Sequence, residues 1–203
     1  MSEISVPHPH IADPILAKVQ LRKKAAEIRQ READRYPDAS RQLAEYCHVL
    51  VDRFGPGVYA AYLPIRSEIS PMPLIVALYD AGHITAMPVT PAEGHPLSFR
   101  RWAVGDALED GPYGTRQPPA CCTPVLPDVI LAPLLAFDSA GRRLGYGGGF
   151  YDRTIADFAA RGHSASVIGL AYDGQKLDKV PVGPYDMALD AVLCPSGFQS
   201  PPL

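Results

Sequence analysis

The chain has 203 residues, 47% of them apolar and 20% charged, with 17 glycines, 22 prolines and four cysteines. That apolar share supports a packed core without disulfides or metal, and glycine and proline spread without a period exclude collagen-like and low-complexity chains. A formal net charge of −3 disfavours general nucleic-acid or anionic-membrane binding.

Residues 1–12, rich in Pro and His, read as a leader without the basic and apolar tandem of a signal peptide. Asp13-Pro14 predicts an N-cap followed by Pro at the first helical position, and a helix from Ile15 to about Arg31. Lys18 and Arg22 fall on one face of it. A second helix is predicted over Asp38–Phe54 from the stripe Leu43, Cys47, Leu50 and Phe54, stopped by Gly55-Pro56-Gly57. Val58–Leu63 then reads as a buried strand, Pro71–Ala81 as a helix closed by Gly82, and Ile84–Val89 as a strand, which is the βαβ alternation. Phe99–Val104 is a short strand in an otherwise loop-like stretch, 91–127. Val129–Ala132 is a buried strand, followed by the loop Pro133–Gly149 and a helix from Phe150 to Arg161, ended by Gly162. Strands at Val167–Ala171 and Asp190–Cys194 close the fold, and 195–203 reads as a Pro-rich tail. The expected fold is α/β: one three-layer Rossmann-like domain, 13–194, with a mostly parallel sheet and helices on both faces.

The longest nearly apolar run, Val129–Phe137, is too short to span a bilayer. Adjacent Cys121 and Cys122, with Cys47 and Cys194, fit neither a zinc spacing nor a disulfide framework, and the six histidines show no metal spacing. A cytoplasmic protein with reduced thiols, as a monomer or weak homodimer with no nucleic-acid or membrane partner, is expected.

One segment carries the chemistry: Gly141-Arg-Arg-Leu-Gly-Tyr-Gly-Gly-Gly-Phe-Tyr-Asp152. Gly145, Gly147, Gly148 and Gly149 lie between a predicted strand and a predicted helix, where backbone N–H groups and the helix dipole favour an anion. Arg142 and Arg143 can add charge-assisted bonds to phosphate oxygens, and Asp152 in the first helical turn can hold Mg²⁺ against them. No G-x-x-x-x-G-K-[ST] is present, and Phe150 stands where a Rossmann fingerprint starting at Gly145 needs glycine. A plain glycine-rich turn with Asp152 as a helix cap is the alternative.

The run Ala132–Arg153 resembles the signature of the 5-formyltetrahydrofolate cyclo-ligase family, also called 5,10-methenyltetrahydrofolate synthetases. Lys18-x-x-Leu21-Arg22 is similar to that family's opening motif and Tyr62-Leu-Pro-Ile-Arg-Ser-Glu68 to its Tyr-x-Pro-x-x-x-Glu segment. Met87-Pro-Val89, Phe99–Trp102 and Pro184-Tyr-Asp186 with Leu189-Asp190 agree in order and spacing, so the resemblance runs from about residue 15 to 197. Gly148, Phe150 and Gln117 depart from what many relatives carry.

The resemblance implies ATP-dependent conversion of 5-formyltetrahydrofolate to 5,10-methenyltetrahydrofolate, through a phosphorylated formyl (imidate) intermediate, with Mg²⁺ and ATP as the cofactor and co-substrate. It assigns ATP to Lys18, Arg22, Arg143, Leu144, Gly145, Tyr146, Gly147, Gly148, Gly149, Phe150 and Tyr151. It assigns the folate to Leu63, Glu68 and Tyr146–Phe150, Mg²⁺ to Asp152 and Asp186, and catalytic roles to Arg143 and Tyr151. Alternatives are a drifted paralogue acting on another formylated amine, a sugar-phosphate isomerase or acyl-transferase relative, and a non-catalytic nucleotide-binding regulator. Trp102 reads equally as core or as ligand wall.

Overall fold

The apolar runs around Tyr59 and Ile130 lie side by side in the middle of one sheet. A computed structural model describes residues 14–199; the expected leader, the Asp13 cap and residues 200–203 lie outside the described residues. In chain order the elements are α1 (Pro14–Arg35), α2 (Ala39–Glu45), α3 (Cys47–Phe54), β1 (Val58–Ala60), α4 (Met72–Asp80), β2 (Ile84–Val89), β3 (Ser98–Arg101), β4 (Glu109–Asp110), β5 (Arg116–Gln117) and β6 (Pro124–Val125). They continue with β7 (Val129–Pro133), β8 (Ala136–Phe137), β9 (Arg143–Leu144), α5 (Phe150–Ala160), β10 (Ser166–Leu170), β11 (Ala191–Cys194) and β12 (Gly197–Gln199).

Eight strands form the main sheet in the order β12-β11-β10-β7-β1-β2-β3-β6. The five central strands, β11, β10, β7, β1 and β2, are parallel, and antiparallel β12 on one side and β3 with β6 on the other close the edges. Period-2 alternation divides the side chains between two cores. Tyr59, Leu131, Ile168 and Leu193 pack with Leu43 and Leu50 of α2 and α3 and with Leu74, Ile75 and Leu78 of α4. Ala60, Ile130, Val167 and Val192 face Phe158 of α5. The fold is therefore α/β with a mostly parallel sheet and helices on both faces.

Chain order reverses between β1 and β7: β2 follows β1 on one side, and β10 and β11 follow β7 on the other. The segments leaving the carboxyl ends of those two strands must diverge there, which opens a crevice where α/β sheets bind ligands. Both the 61–68 segment and the glycine loop start at this point.

Several boundaries differ from those read in the sequence. The predicted second helix is two, broken at Tyr46, whose ring turns to meet Phe198 edge-on at 6.2 Å and whose hydroxyl donates to the Pro195 carbonyl at 3.3 Å. The expected tail from 195 contains β12, which pairs with β11 through Cys194 and Gly197. The loop Pro133–Gly149 contains the hairpin β8–β9. Buried Asp138 ties it by accepting the N–H groups of Ala140, Arg142 and Val180 at 3.0, 3.1 and 2.9 Å. Trp102 is 4% exposed and belongs to the core. All four cysteines are free, and no described helix is long and apolar enough to cross a membrane.

Candidate functional site

Helix α1 lies over the β8–β9 hairpin because Ala25 packs in one small core with Leu135, Ala136, Leu144 and Val180. That packing points the next turns of α1 at the glycine loop. Lys18, Arg22, Pro133 at the end of β7, residues 143–152 and Asp186 line one cleft at the switch point.

The loop is shaped around an arginine. Arg22 Nε donates to the Gly145 carbonyl at 3.0 Å, and no carboxylate pairs with it among the described residues. Gly147 takes φ +103°, which only glycine adopts freely, and a Cβ there would sit 3.2 Å from the Arg22 guanidinium carbon. Gly149, at φ +65°, turns the chain into α5. Its own Cβ would fall 2.7 Å from Arg153 Nη1. These glycines therefore bring backbone, helix N-terminus and an uncompensated cation together, the ingredients of an anion site.

Two ion pairs flank it. Lys18 Nζ lies 2.5 Å from Asp186 Oδ2, which also accepts the Gly183 N–H at 2.8 Å. Burial alone would raise the Asp186 carboxyl, but the Lys18 and Gly183 hydrogen bonds and the Lys18 and Arg143 charges bring it below its ordinary value. Arg143 Nη2 donates to Asp152 Oδ1 at 2.6 Å and its Nη1 to the Met187 carbonyl at 3.0 Å. Asp152 Oδ1 also accepts the Met187 N–H at 3.0 Å. Asp152 stands in the first turn of α5, and its hydrogen bonds come from Arg143 and Met187, not from a backbone N–H of that turn, which disfavours the capping alternative.

A second cluster lies under the loop. Glu68 is 8% exposed; its Oε2 accepts the Ile65 N–H at 2.8 Å and its Oε1 the Tyr146 hydroxyl at 2.7 Å. Arg29 on α1, 2% exposed, donates to the same Tyr146 hydroxyl and to Ser67 Oγ at 3.2 Å. Burial pushes the Glu68 carboxyl up, against the Ile65 and Tyr146 hydrogen bonds and the charges of Arg29 and Arg66. Burial likewise raises the phenols of Tyr146 and Tyr151, helped by the Glu68 charge, so both are neutral donors near pH 7.

The structure thus brings Lys18, Arg22 and the run Arg143–Asp152, with Asp186, to one cleft. Leu63 and Glu68 do not line it: Leu63 packs against the helix-side core, and Glu68 sits behind Tyr146. Arg142, expected beside the phosphates, is not on this cleft; it lies 3.9 Å from Asp138 and borders a neighbouring hollow. Sequence reasoning missed Arg29. The signal was present, since it follows Arg22 by two helical turns, but nothing in the chain marks which arginine of a basic helix is buried.

These features define a doubly wound α/β protein with a glycine-lined, cation-bearing cleft at its switch point. The family model described as the 5-formyltetrahydrofolate cyclo-ligase family matches residues 15–195. The chain belongs to that family, and it is an enzyme. It is 33% identical over 178 residues to the 5-formyltetrahydrofolate cyclo-ligase of Escherichia coli K12, covering 83% of this chain and 97% of that protein. It is 38% identical over 146 residues to the Mycolicibacterium smegmatis protein of the same name, covering 66% of this chain and 72% of that one. Among solved structures it is similar to the Aquifex aeolicus 5,10-methenyltetrahydrofolate synthetase, with a TM-score of 0.73 and 26% identity over 90% of this chain and 92% of that one.

Proposed function

We propose that the cleft runs the ATP-dependent closure of 5-formyltetrahydrofolate to 5,10-methenyltetrahydrofolate, releasing ADP and phosphate. A formamide carbon is a poor electrophile, and among the described residues no serine, threonine or cysteine is hydrogen-bonded to a histidine base that could make it attack. On this reading the formyl oxygen attacks the γ-phosphate, forming an O–P bond as the bond to ADP breaks. N10 then adds to the activated carbon and loses its proton, which departs with the phosphate that carries away the former formyl oxygen. The protein's share is positioning and charge stabilisation.

One observation carries the reading: the Arg22 guanidinium is held against Gly147 with no carboxylate partner among the described residues, in the mouth of a glycine loop and a helix N-terminus. Arg22 and the loop N–H groups would take phosphate oxygens, and Lys18 and Arg143 would exchange part of their carboxylate contacts for them. Arg143 then faces the charge that develops in transfer. Tyr151, held neutral, can donate to that oxygen but not abstract a proton. Glu68 would accept N–H bonds from the amidine edge of the pterin, with Leu63 against the ring.

Magnesium fits the residues present. Asp152 and Asp186 line the cleft and each commits one oxygen to protein donors, the other accepting no hydrogen bond among the described residues. Two carboxylates with phosphate and water oxygens are what this ion usually takes, and when bound it supplies charge neutralisation at the phosphates. The free thiols of all four cysteines suit a reducing cytoplasm.

The test is the near-ultraviolet absorbance of the methenyl product, formed from 5-formyltetrahydrofolate and Mg²⁺ with ATP and not without it. Absence of product at enzyme excess overturns the reading in favour of another formylated amine.

A further inference from the structure

Arg29 is a buried charge to which the reaction scheme gives no task. It joins three segments that are far apart in sequence: α1, the 64–68 turn and the glycine loop. Nε donates to Ser67 Oγ at 3.2 Å, Nη1 donates to the Tyr146 hydroxyl, and Nη1 lies 3.7 Å from Glu68 Oε1. The side chains of Arg29 and Glu68 are 2% and 3% exposed. A guanidinium buried this deeply is costly unless its donors and charge are matched. Here they are matched only if Glu68 is ionised and Tyr146 stays over it. The turn itself is shaped for this: Arg66 takes φ +54°, and the Glu68 N–H returns to the Ile65 carbonyl at 3.2 Å.

We infer that Arg29 is a positioning residue for folate binding, which holds the Glu68 carboxylate charged and aimed and thereby sets the pterin side of the site. The inference rests on the reading of Glu68 as the pterin acid. The groups that face Glu68 are Arg29 from α1, Arg66 from its own turn, Tyr62 after β1, Tyr146 on the loop and Tyr151 on α5. Of these, Arg29 is the buried cation; Arg66 is exposed. Tyr146 spends its hydroxyl hydrogen on Oε1, the oxygen nearest Arg29. A pterin N–H that engages Oε1 exchanges with that bond. Arg29, anchored separately on Ser67, keeps the carboxylate ionised through the exchange. Without it the same burial works unopposed by the nearest charge, and Glu68 takes up a proton at higher pH.

The experiment is calorimetric titration of the full chain with 5-formyltetrahydrofolate, and separately with ATP–Mg²⁺, across pH. It compares wild type, Arg29→Met, Arg29→Lys, Glu68→Gln and the double variant Arg29→Met/Glu68→Gln. Arg29→Met is expected to weaken folate binding about tenfold or more, with ATP binding within about twofold, and to move the acid limb of folate binding to higher pH. Arg29→Lys, which keeps the charge and loses the fork, should bind folate several-fold more weakly with its acid limb near that of wild type. In the double variant the Arg29 change should add little to Glu68→Gln, because it acts through that carboxylate. A merely structural strut would lower stability while leaving the acid limb in place. If Glu68→Gln weakens folate binding but the Arg29 variants bind folate like wild type, this inference alone is overturned. If Glu68→Gln itself binds folate like wild type, the pterin assignment falls and this inference with it. Should Arg29→Met not fold, Arg29→Lys decides: unchanged folate affinity overturns the inference.

Discussion

At the outer end of the glycine loop, the pairs Lys18–Asp186 and Arg143–Asp152 leave their carboxylates 33% and 24% exposed, while at the inner end Arg29 and Glu68 are 2% and 3% exposed. The same residue types therefore do different work. The outer pairs keep solvent at their carboxylates although Lys18 and Arg143 are only 17% and 6% exposed, so these cations can turn from carboxylate to phosphate without leaving a closed-off charge behind. The buried cluster is expensive to open and suits a site that must keep one shape. Tyr146 connects the two ends: it lines the cleft, and its hydroxyl donates to Glu68.

That division can be broken from either end. The largest effect is expected at Arg143, where Arg143→Ala should reduce ATP turnover by about 10–1,000-fold, the scale of one charge-assisted contact of roughly 1.5–4 kcal/mol. Thermal denaturation should show the fold intact, and unchanged turnover would mean that Arg143 only ties Asp152 to Met187. Gly147→Ala comes next. At φ +103° with Arg22 beside it, an added Cβ should cost about 1–3 kcal/mol of local strain. Steady-state kinetics should show it as a raised ATP constant rather than a raised folate constant.

Asp152→Asn should depress turnover about tenfold, with partial recovery as Mg²⁺ is raised, because a weakened site refills by mass action. A Mg²⁺ titration of the variant that runs parallel to wild type would remove Asp152 from the metal site. The smallest effect concerns acid stability. The Asp186 carboxyl is lowered in the fold, so its contribution is present above its unfolded value and is lost as pH falls through the folded one. Lys18→Met should remove that contribution. Its stability deficit should be constant near neutrality and shrink only below about pH 4, near the unfolded carboxyl value; a deficit that grows on acidification would contradict the pairing.

The central strands were legible because buried parallel strands read as short continuous apolar runs, and Val129–Ala132 and Ile84–Val89 fall close to β7 and β2. The two-residue strands β4, β5, β6, β8 and β9 were not, since pairs that short have no period and depend on partners distant in the chain. The break at Tyr46 was hidden for a similar reason: the ring that Tyr46 meets there, Phe198, lies about 150 residues away. At the site, the glycine loop announced itself by composition, and the family resemblance pointed to Lys18, Arg22, Glu68 and Asp186. What the chain could not show was burial. Glu68 reads as an acid in a turn, and only the packing of α1 and Tyr146 over it makes it a closed carboxylate. Arg29 looks like any cation of a basic helix until the fold sets it on Ser67.

The measurement that bears most directly on the two-ended site is the pair of apparent constants, for ATP and for 5-formyltetrahydrofolate, in Arg143→Ala and Glu68→Gln. The account predicts that they cross: Arg143→Ala impairs ATP use with the folate constant near wild type. Glu68→Gln raises the folate constant about tenfold or more, the scale of a lost hydrogen bond to a charged group, with the ATP constant little changed. The same defect in both variants would contradict it.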